Sequence, residues 1–354
     1  MKSYLNAGSA LLAALVLLAC GGAEDAASNE GPPQSTPDDG GIGLADAEPG
    51  TFEAGALDAQ PQEDSGAEPV DAAAGTDSGT GPGPGPDPGP PAQYQVEMVY
   101  TTANIGRSYN TKADVQKVFD KVGDVIGGKS GPKFIGWQEI GEGDPCGASC
   151  EINALLARFT TAGGWKTVHP NGKKPGGGSE LVKVPITSKG ANDTISTRAT
   201  FASPGWAGVS PTRFVVVSFH KNRNLSTINT HFIAGAWSCK SNVAQRKDYW
   251  KQAWKVLKSE VATEIGKGRN VVVTGDLNRP RAQDSCNPAW DPSSLNARAS
   301  VVGGAGIDYV FAVPAVGYKF VVSKKADGTK KQGVIDLGID GHNAHWVIGK
   351  FVAN

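Results

Sequence analysis

Between Gly21 and Gln93 the chain carries 15 carboxylates, no lysine or arginine, and one aromatic residue, Phe52. Such a stretch cannot bury enough apolar surface to offset the entropy of ordering its backbone, so it is expected to be disordered. It closes on Gly81-Pro82-Gly83-Pro84-Gly85-Pro86-Asp87-Pro88-Gly89-Pro90-Pro91, the composition of a spacer. Folding is thereby confined to residues 94–354, which suffice for one large domain with a substantial core. The segment also masks a charge asymmetry. The whole chain balances 34 Lys and Arg against 35 Asp and Glu. Residues 94–354 alone hold 33 against 20, a formal net of +13. A basic globule favours polyanionic partners such as nucleic acid or anionic headgroups, although the same surplus can serve solubility alone.

Residues 1–20 read as a targeting segment. Lys2 precedes the apolar run Ala10 to Ala19, which is too short to span a bilayer. The run ends Leu17-Leu18-Ala19-Cys20-Gly21-Gly22, which resembles a bacterial lipobox with Cys20 as the lipid-carrying residue. An ordinary secretory signal is the alternative. The expectation is an exported protein, lipid-anchored to the bacterial envelope or cell surface, with a membrane contact through Cys20. Four cysteines then remain: Cys146, Cys150, Cys239 and Cys286. An even number in an exported domain suggests two disulfides, with three possible pairings. Cys146 with Cys150 would be a local loop bridge and would leave Cys239 with Cys286. A zinc site is the weaker alternative, because no CxxC knuckle is present.

Within 94–354, strands and helices alternate irregularly. Strands are expected at Gln95–Thr102, Lys133–Glu139, Phe214–Phe219, Leu225–Thr230, Asn270–Thr274, Ile307–Val313 and His345–Phe351. The turn Lys221-Asn222-Arg223-Asn224 should join two of these as a hairpin. Val115, Val118, Phe119, Val122 and Ile126 follow the helical period over Lys112–Gly127, with Thr111 as N-cap and Gly127-Gly128 as the stop. Trp250, Ala253, Trp254, Leu257, Val261 and Ile265 line one face of a second helix over Val243–Ile265, and core packing is the expected role of its tryptophans. Mixed strands with few, well-spaced helices imply an α/β (α+β) fold.

Polar residues cluster where apolar strands end. The patches are Thr102-Ala103-Asn104, Gln138-Glu139, Asn229-Thr230-His231, Gly275-Asp276-Leu277-Asn278, Ile307-Asp308-Tyr309 and Asp340-Gly341-His342. Each alone is common, since a strand that ends in a solvated carboxylate needs no function. Together and in this order they resemble the endonuclease/exonuclease/phosphatase superfamily, over about Val96 to Val352. The resemblance implies a four-layer sandwich of two packed mixed β-sheets flanked by helices. It also implies a metal-dependent phosphohydrolase, expected here as a monomer acting on nucleic acid or another phosphodiester.

The resemblance assigns roles. Glu139 would be the main metal ligand, with Asn104 beside it and Asp340 nearby. Asp276 would orient or deprotonate the attacking water, and Asn278 would hold that water or a phosphate oxygen. His231 would donate to the phosphate, and His342 would work with Asp308 as its partner acid. Oxygen ligands with open water positions suit Mg²⁺, with Mn²⁺ or Ca²⁺ possible. Gly341 stands where the family usually has Asp, with Asp340 one step earlier. The phosphate-contacting Tyr has no counterpart, and Arg213 or Arg198 are the candidates to replace it. His169 and His220 read as structural or exposed, and Asn171–Ser179 as a mobile surface loop. A phospholipid or sphingomyelin phosphodiesterase and a non-catalytic nucleic-acid-binding surface protein are the alternative functions.

Overall fold

The computed structural model describes residues 95–106, 112–142, 147–190, 195–206, 211–238, 244–283, 287–339 and 342–354. The expected signal and linker, Cys20, Thr111 and Asp340 lie outside the described residues. So do Cys146, Cys239 and Cys286; Cys150 is disulfide-bonded, and its partner lies outside the described residues.

The first sheet holds β1 (Met98–Asn104), β2 (Lys133–Gln138), β3 (Trp165–Val168), β6 (Ile186–Lys189), β13 (Tyr318–Val322), β14 (Gln332–Ile339) and β15 (His342–Ala353). Their order is β13-β15-β1-β2-β6-β3, with β14 also paired to β15. The second sheet holds β7 (Ile195–Ser203), β8 (Arg213–His220), β9 (Leu225–His231), β10 (Asn270–Asp276), β11 (Ser300–Ala305) and β12 (Asp308–Val313), in the order β11-β12-β10-β9-β8-β7. Both are mixed sheets: β1 runs parallel to β2 and β9 parallel to β10, while their neighbours are antiparallel. The helices are α1 (Lys112–Gly127), α2 (Gly147–Arg158) and α3 (Ala244–Gly266).

Burial shows the layers. Val115, Phe119 and Val122 of α1 and Leu155 of α2 pack with Val99, Ile135 and Trp137 on the outer face of the first sheet. Trp250, Leu257 and Val261 of α3 pack with Val217, Ile228 and Val273 on the outer face of the second. Between the sheets lie Met98, Tyr100, Phe134, Leu225, Val272, Val310 and Phe351. That is the expected four-layer sandwich. The alternating in-and-out pattern of a half-exposed strand is absent because β1, β2, β9 and β10 are buried on both faces.

Among the described residues, the structure adds elements the sequence does not announce, including α2 and the edge strands β3, β7, β11, β13 and β14. Residues 171–179, expected as a mobile surface loop, fall within the hairpin of β4 (Asn171–Lys173) and β5 (Ser179–Leu181). Its turn uses the positive φ of Gly176, Gly177 and Gly178. Gly172 is close against the ring of Phe214, where a Cβ would come within 2.2 Å of it. Side-chain packing therefore orders what looks locally like a glycine loop.

One polar cluster joins the sheets. The Asn229 side-chain amide donates to the carbonyl oxygens of Trp137 (2.7 Å) and Pro185 (3.1 Å), and its Oδ1 accepts from Gln138 Nε2 (2.6 Å) and Thr274 Oγ1 (3.0 Å). Asn229 is fully buried, so each of these bonds replaces one that water would otherwise make. Gly136 makes room for it: a Cβ there would sit 2.0 Å from Thr274 Oγ1 and 2.5 Å from Asn229 Oδ1. Gly136→Ala should therefore destabilise the protein by about 3 kcal/mol or more, through overpacking and broken hydrogen bonds. Urea denaturation checks this, and an unchanged midpoint would contradict it.

His220, at the far end of β8, is buried against Phe134, with ring centroids 4.7 Å apart. Burial, with help from Arg223 and Lys166, pushes its pKa down to about 3. The unfolded ring gains a proton near pH 6.5 and the folded ring does not. Stability from this group is thus complete above about pH 6.5 and is lost as pH falls toward about 3. In His220→Gln, the urea midpoint should vary less with pH across that window than in the parent protein.

Candidate active site

Parallel pairing sets the site. In the second sheet Asp276 lies in register with His231 on one side and with Asp308 on the other. In the first sheet Asn104 is in register with Gln138, and Glu139 follows directly. All of these are the C-terminal ends of parallel strands, or the antiparallel start of β12, at one end of the sandwich. The four parallel strands therefore deliver polar residues to a single edge, as open α/β sheets do.

Contacts across the two sheets close the site. Asn104 Nδ2 donates to Asp276 Oδ2 at 2.9 Å and approaches Glu139 Oε1 at 3.4 Å, while its Oδ1 accepts from the Gly106 N–H at 2.9 Å. The amide nitrogen, rather than the oxygen, is thus turned toward the acids. The Asn278 N–H donates to Asp276 Oδ1 at 2.7 Å. Trp250 Nε1 donates to the Leu277 carbonyl oxygen at 2.6 Å, so the tryptophan face of α3 holds the site loop as well as the core. Arg279, next in the loop, lies 3.5 Å over the Trp237 ring and is nearly buried.

Glu139 and Asn278 are two of the three non-glycine residues with positive φ among the described residues, at 65° and 49°. Left-handed backbone is costly for such residues and persists where surroundings over-determine it, as at functional sites. The strain turns Glu139 out of the strand direction and into the pocket. Its loop is braced by Glu151 of α2, which accepts from the Gly141 N–H, and by Lys183 Nζ, which donates to the Gly141 carbonyl oxygen at 2.8 Å.

His231 is almost wholly buried, and Nε2 lies 3.6 Å from Glu139 Oε1 and 3.7 Å from Asp276 Oδ2. On its other side Arg213 reaches Nδ1 at 2.8 Å. Asn278 Nδ2 lies 3.1 Å from Nε2 and donates to the Phe232 carbonyl oxygen, so a donor faces each ring nitrogen, whereas a neutral imidazole accepts at only one. Arg213 is itself bound by Glu142 Oε1 at 2.9 Å. Arg213 was a sequence candidate for phosphate contact, and the structure places it behind His231. Arg198 is elsewhere, paired with Glu260 and Glu264. Glu142 escaped the sequence reading altogether. Its only signal was a second glutamate three residues after Glu139.

The second imidazole, His342, sits with Nδ1 3.8 Å from Asp308 Oδ2 and is part-exposed. Burial works against its protonation, but the facing Asp308 carboxylate and the charges of Asp276 and Glu139 outweigh burial and hold its pKa above the usual value. Asp276 is fully buried, and that burial, with the neighbouring Asp308 charge, pushes its carboxyl up to about 6. Asp308 Oδ1 has no hydrogen-bond partner. A cavity of about 350 Å³ is lined among others by Arg281, Val301 and Tyr309, without Asp308.

The sequence-named residues Asn104, Glu139, His231, Asp276, Asn278, Asp308 and His342 therefore meet in one pocket. Two groups have ligand atoms within 4.8 Å of one another: Glu139, Glu142 and His231, and Asp276, Asp308 and His342. Glu142 and His231 are already compensated by Arg213. The crowded carboxylates of Glu139, Asp276 and Asp308, with the partnerless Asp308 Oδ1, fit a hard divalent cation bound through oxygen. Removing one partner of the buried Glu142–Arg213 pair takes a close counter-charge from the other. Glu142→Gln should cost about 3–5 kcal/mol in thermal or urea unfolding, and a neutral result would show that the pair does not hold His231 in place.

No family model matches the sequence, and no curated protein matches it. Solved structures align with the folded part. An endonuclease/exonuclease/phosphatase family protein from Bacteroides thetaiotaomicron is 10% identical over 72% of this chain and 95% of its own, with a TM-score of 0.46. A mannosyl-6-phosphatase from the same organism is 10% identical over 72% and 99%, with a TM-score of 0.44. The human Nocturnin catalytic domain is 10% identical over 72% and 95%, also at 0.44.

Proposed function

We propose that this protein is a divalent-metal-dependent phosphoesterase of the endonuclease/exonuclease/phosphatase superfamily, and that its reaction is hydrolysis of phosphodiesters, with nucleic acid as the favoured substrate. One observation carries the reading: Glu139, Asp276, Asp308, His231 and His342, from five separate strand ends, share a single pocket. The +13 excess of residues 94–354 favours a polyanionic substrate. The leader ending at Cys20 supports export with lipid attachment.

Each side chain has a role its surroundings support. Asp276, with a carboxyl titrating near 6, is positioned to take a proton from water close to neutral pH. His342, held protonated to higher pH by Asp308, can donate to a phosphate or leaving-group oxygen. His231 turns Nε2 toward the same space, its ring held from behind by Arg213 at Nδ1. Asn278 fixes the Asp276 carboxylate through its backbone N–H. A bound Mg²⁺, or Mn²⁺ or Ca²⁺ in its place, would be held chiefly by Glu139 and would stabilise charge developing on phosphate oxygens.

Plasmid DNA, RNA, a phospholipid dispersion and a small phosphomonoester, each assayed with several divalent metals, test the proposal. Plasmid cleavage should require the cation and stop with EDTA. His342→Ala and Asp276→Asn should each lower the rate about 10²–10⁴-fold while leaving the unfolding midpoint of the folded protein within about 1 kcal/mol. Cleavage of lipid but not DNA would move the substrate class. Binding without turnover under every metal would end the enzymatic reading.

A further inference from the structure

The end of the sandwich opposite the site has its own chemistry. β1 runs from Met98 toward Asn104, so the chain enters the fold at the end farthest from Glu139 and Asp276. The other strand ends at that pole are the start of β2, the close of β6, β8, β12 and β15, and the start of β9, β10 and β13, placed there by their registers. Lys189, Lys221, Lys319 and Lys350 lie at or near these ends, Lys166 of β3 is in register with Ser188 of β6, and Lys331 reaches the pole through Glu97. Contacts confirm that both sheets share the pole. Arg223 of the β8–β9 turn donates to the Gly190 carbonyl oxygen just after β6 at 2.5 Å, and the charges of Arg223 and Lys166 both act on His220. Glu97, the acid set among them, lies 3.2 Å from Lys331, with Lys350 also acting on it.

The same pole exposes apolar side chains. Val316, in the turn between β12 and β13, is 76% exposed, the highest value among the large hydrophobics of the described residues. Val96, just before β1, and Val321 of β13 are also exposed. Lysines usually keep solvent-facing strand edges from pairing, and that need explains lysine on β13. It does not explain lysines on the turns and ends of several other strands at this pole. Cations spread over a pole that also exposes apolar side chains match a surface of anionic headgroups over an acyl boundary.

We propose that this pole seats on an anionic phospholipid surface, with the lysines on the headgroup phosphates and Val316 at the acyl boundary, so that the site faces away from the membrane. The described chain begins at this same pole, at Gln95, on the side from which the expected Cys20 anchor is tethered. Nothing in the proposal depends on the reaction at the opposite end.

The test uses the full chain carrying Cys20→Ser, so that no lipid contributes. It is mixed with phosphatidylcholine vesicles with and without phosphatidylglycerol. Binding is expected to the anionic vesicles only, and to weaken as salt rises. A variant with Lys166, Lys221, Lys319 and Lys350 all changed to Gln should bind on the order of 10²–10³-fold more weakly at low salt. Val316→Asp should weaken binding in the salt-resistant fraction. Lys173→Gln with Lys174→Gln, on the β4–β5 hairpin, should leave binding unchanged. Unfolding midpoints of the variants separate misfolding from lost binding. Equal binding by the four-lysine variant, or no anionic-vesicle binding at low salt, overturns the proposal. So does loss of DNA affinity in that variant without any vesicle binding, which would make the pole a nucleic-acid surface.

Discussion

Asn229 belongs to the second sheet, yet two of its hydrogen bonds reach backbone carbonyls of the first-sheet side, at Trp137 and Pro185. Gln138 and Thr274 close on its oxygen from the two sheets. Two apolar sheet faces can slide over each other at little cost, because burial is non-directional. A buried amide with all its partners in place has one low-energy position. This cluster therefore sets the relative register of the two sheets. Gln138 precedes Glu139 and Asn229 lies two residues before His231, so the same register sets the site. The empty volume at Gly136 is the geometric condition for it.

The site itself concentrates what the rest of the fold avoids. Three nearly buried carboxylates approach one another, two backbone positions are held left-handed, and an arginine–glutamate pair is buried behind an imidazole. Each is unfavourable alone. Each is braced from a different direction: Glu151 and Lys183 under the Glu139 loop, Trp250 under the Asn278 loop, and Glu142 behind Arg213. The bracing comes from the helices and loops outside the sheets. That explains why an architecture so dominated by strands still needs α2 and α3 near its reactive end.

The two ends of the sandwich divide the electrostatics. The acids converge at one end, where burial and the Asp308 charge raise the carboxyl of Asp276, and the acids hold the imidazole of His342 up against its burial. At the other end burial, helped by the charges of Arg223 and Lys166, depresses His220. A nearly neutral whole-chain count conceals both, because the acidic segment 21–93 cancels the basic excess of the remainder.

Much was legible in the chain before folding. Strand-end motifs pointed to Glu139, His231, Asp276, Asn278, Asp308 and His342, because a buried strand is a run of apolar residues and a polar residue closing it marks the edge. Helical periodicity located α1 and α3 within a residue of their observed bounds, since each buries one continuous face. What the chain could not show were features that depend on residues distant in sequence. The β4–β5 hairpin is ordered by Phe214, α2 is short with a weak apolar stripe, and Glu142 gains meaning only when Arg213, 71 positions later, lies beside it. Local sequence thus determined which residues end strands and which faces are apolar, because those depend on neighbours one to four positions away. Tertiary structure alone decided which buried charges face one another, because Coulomb partners and desolvation are set by distances through space rather than along the chain.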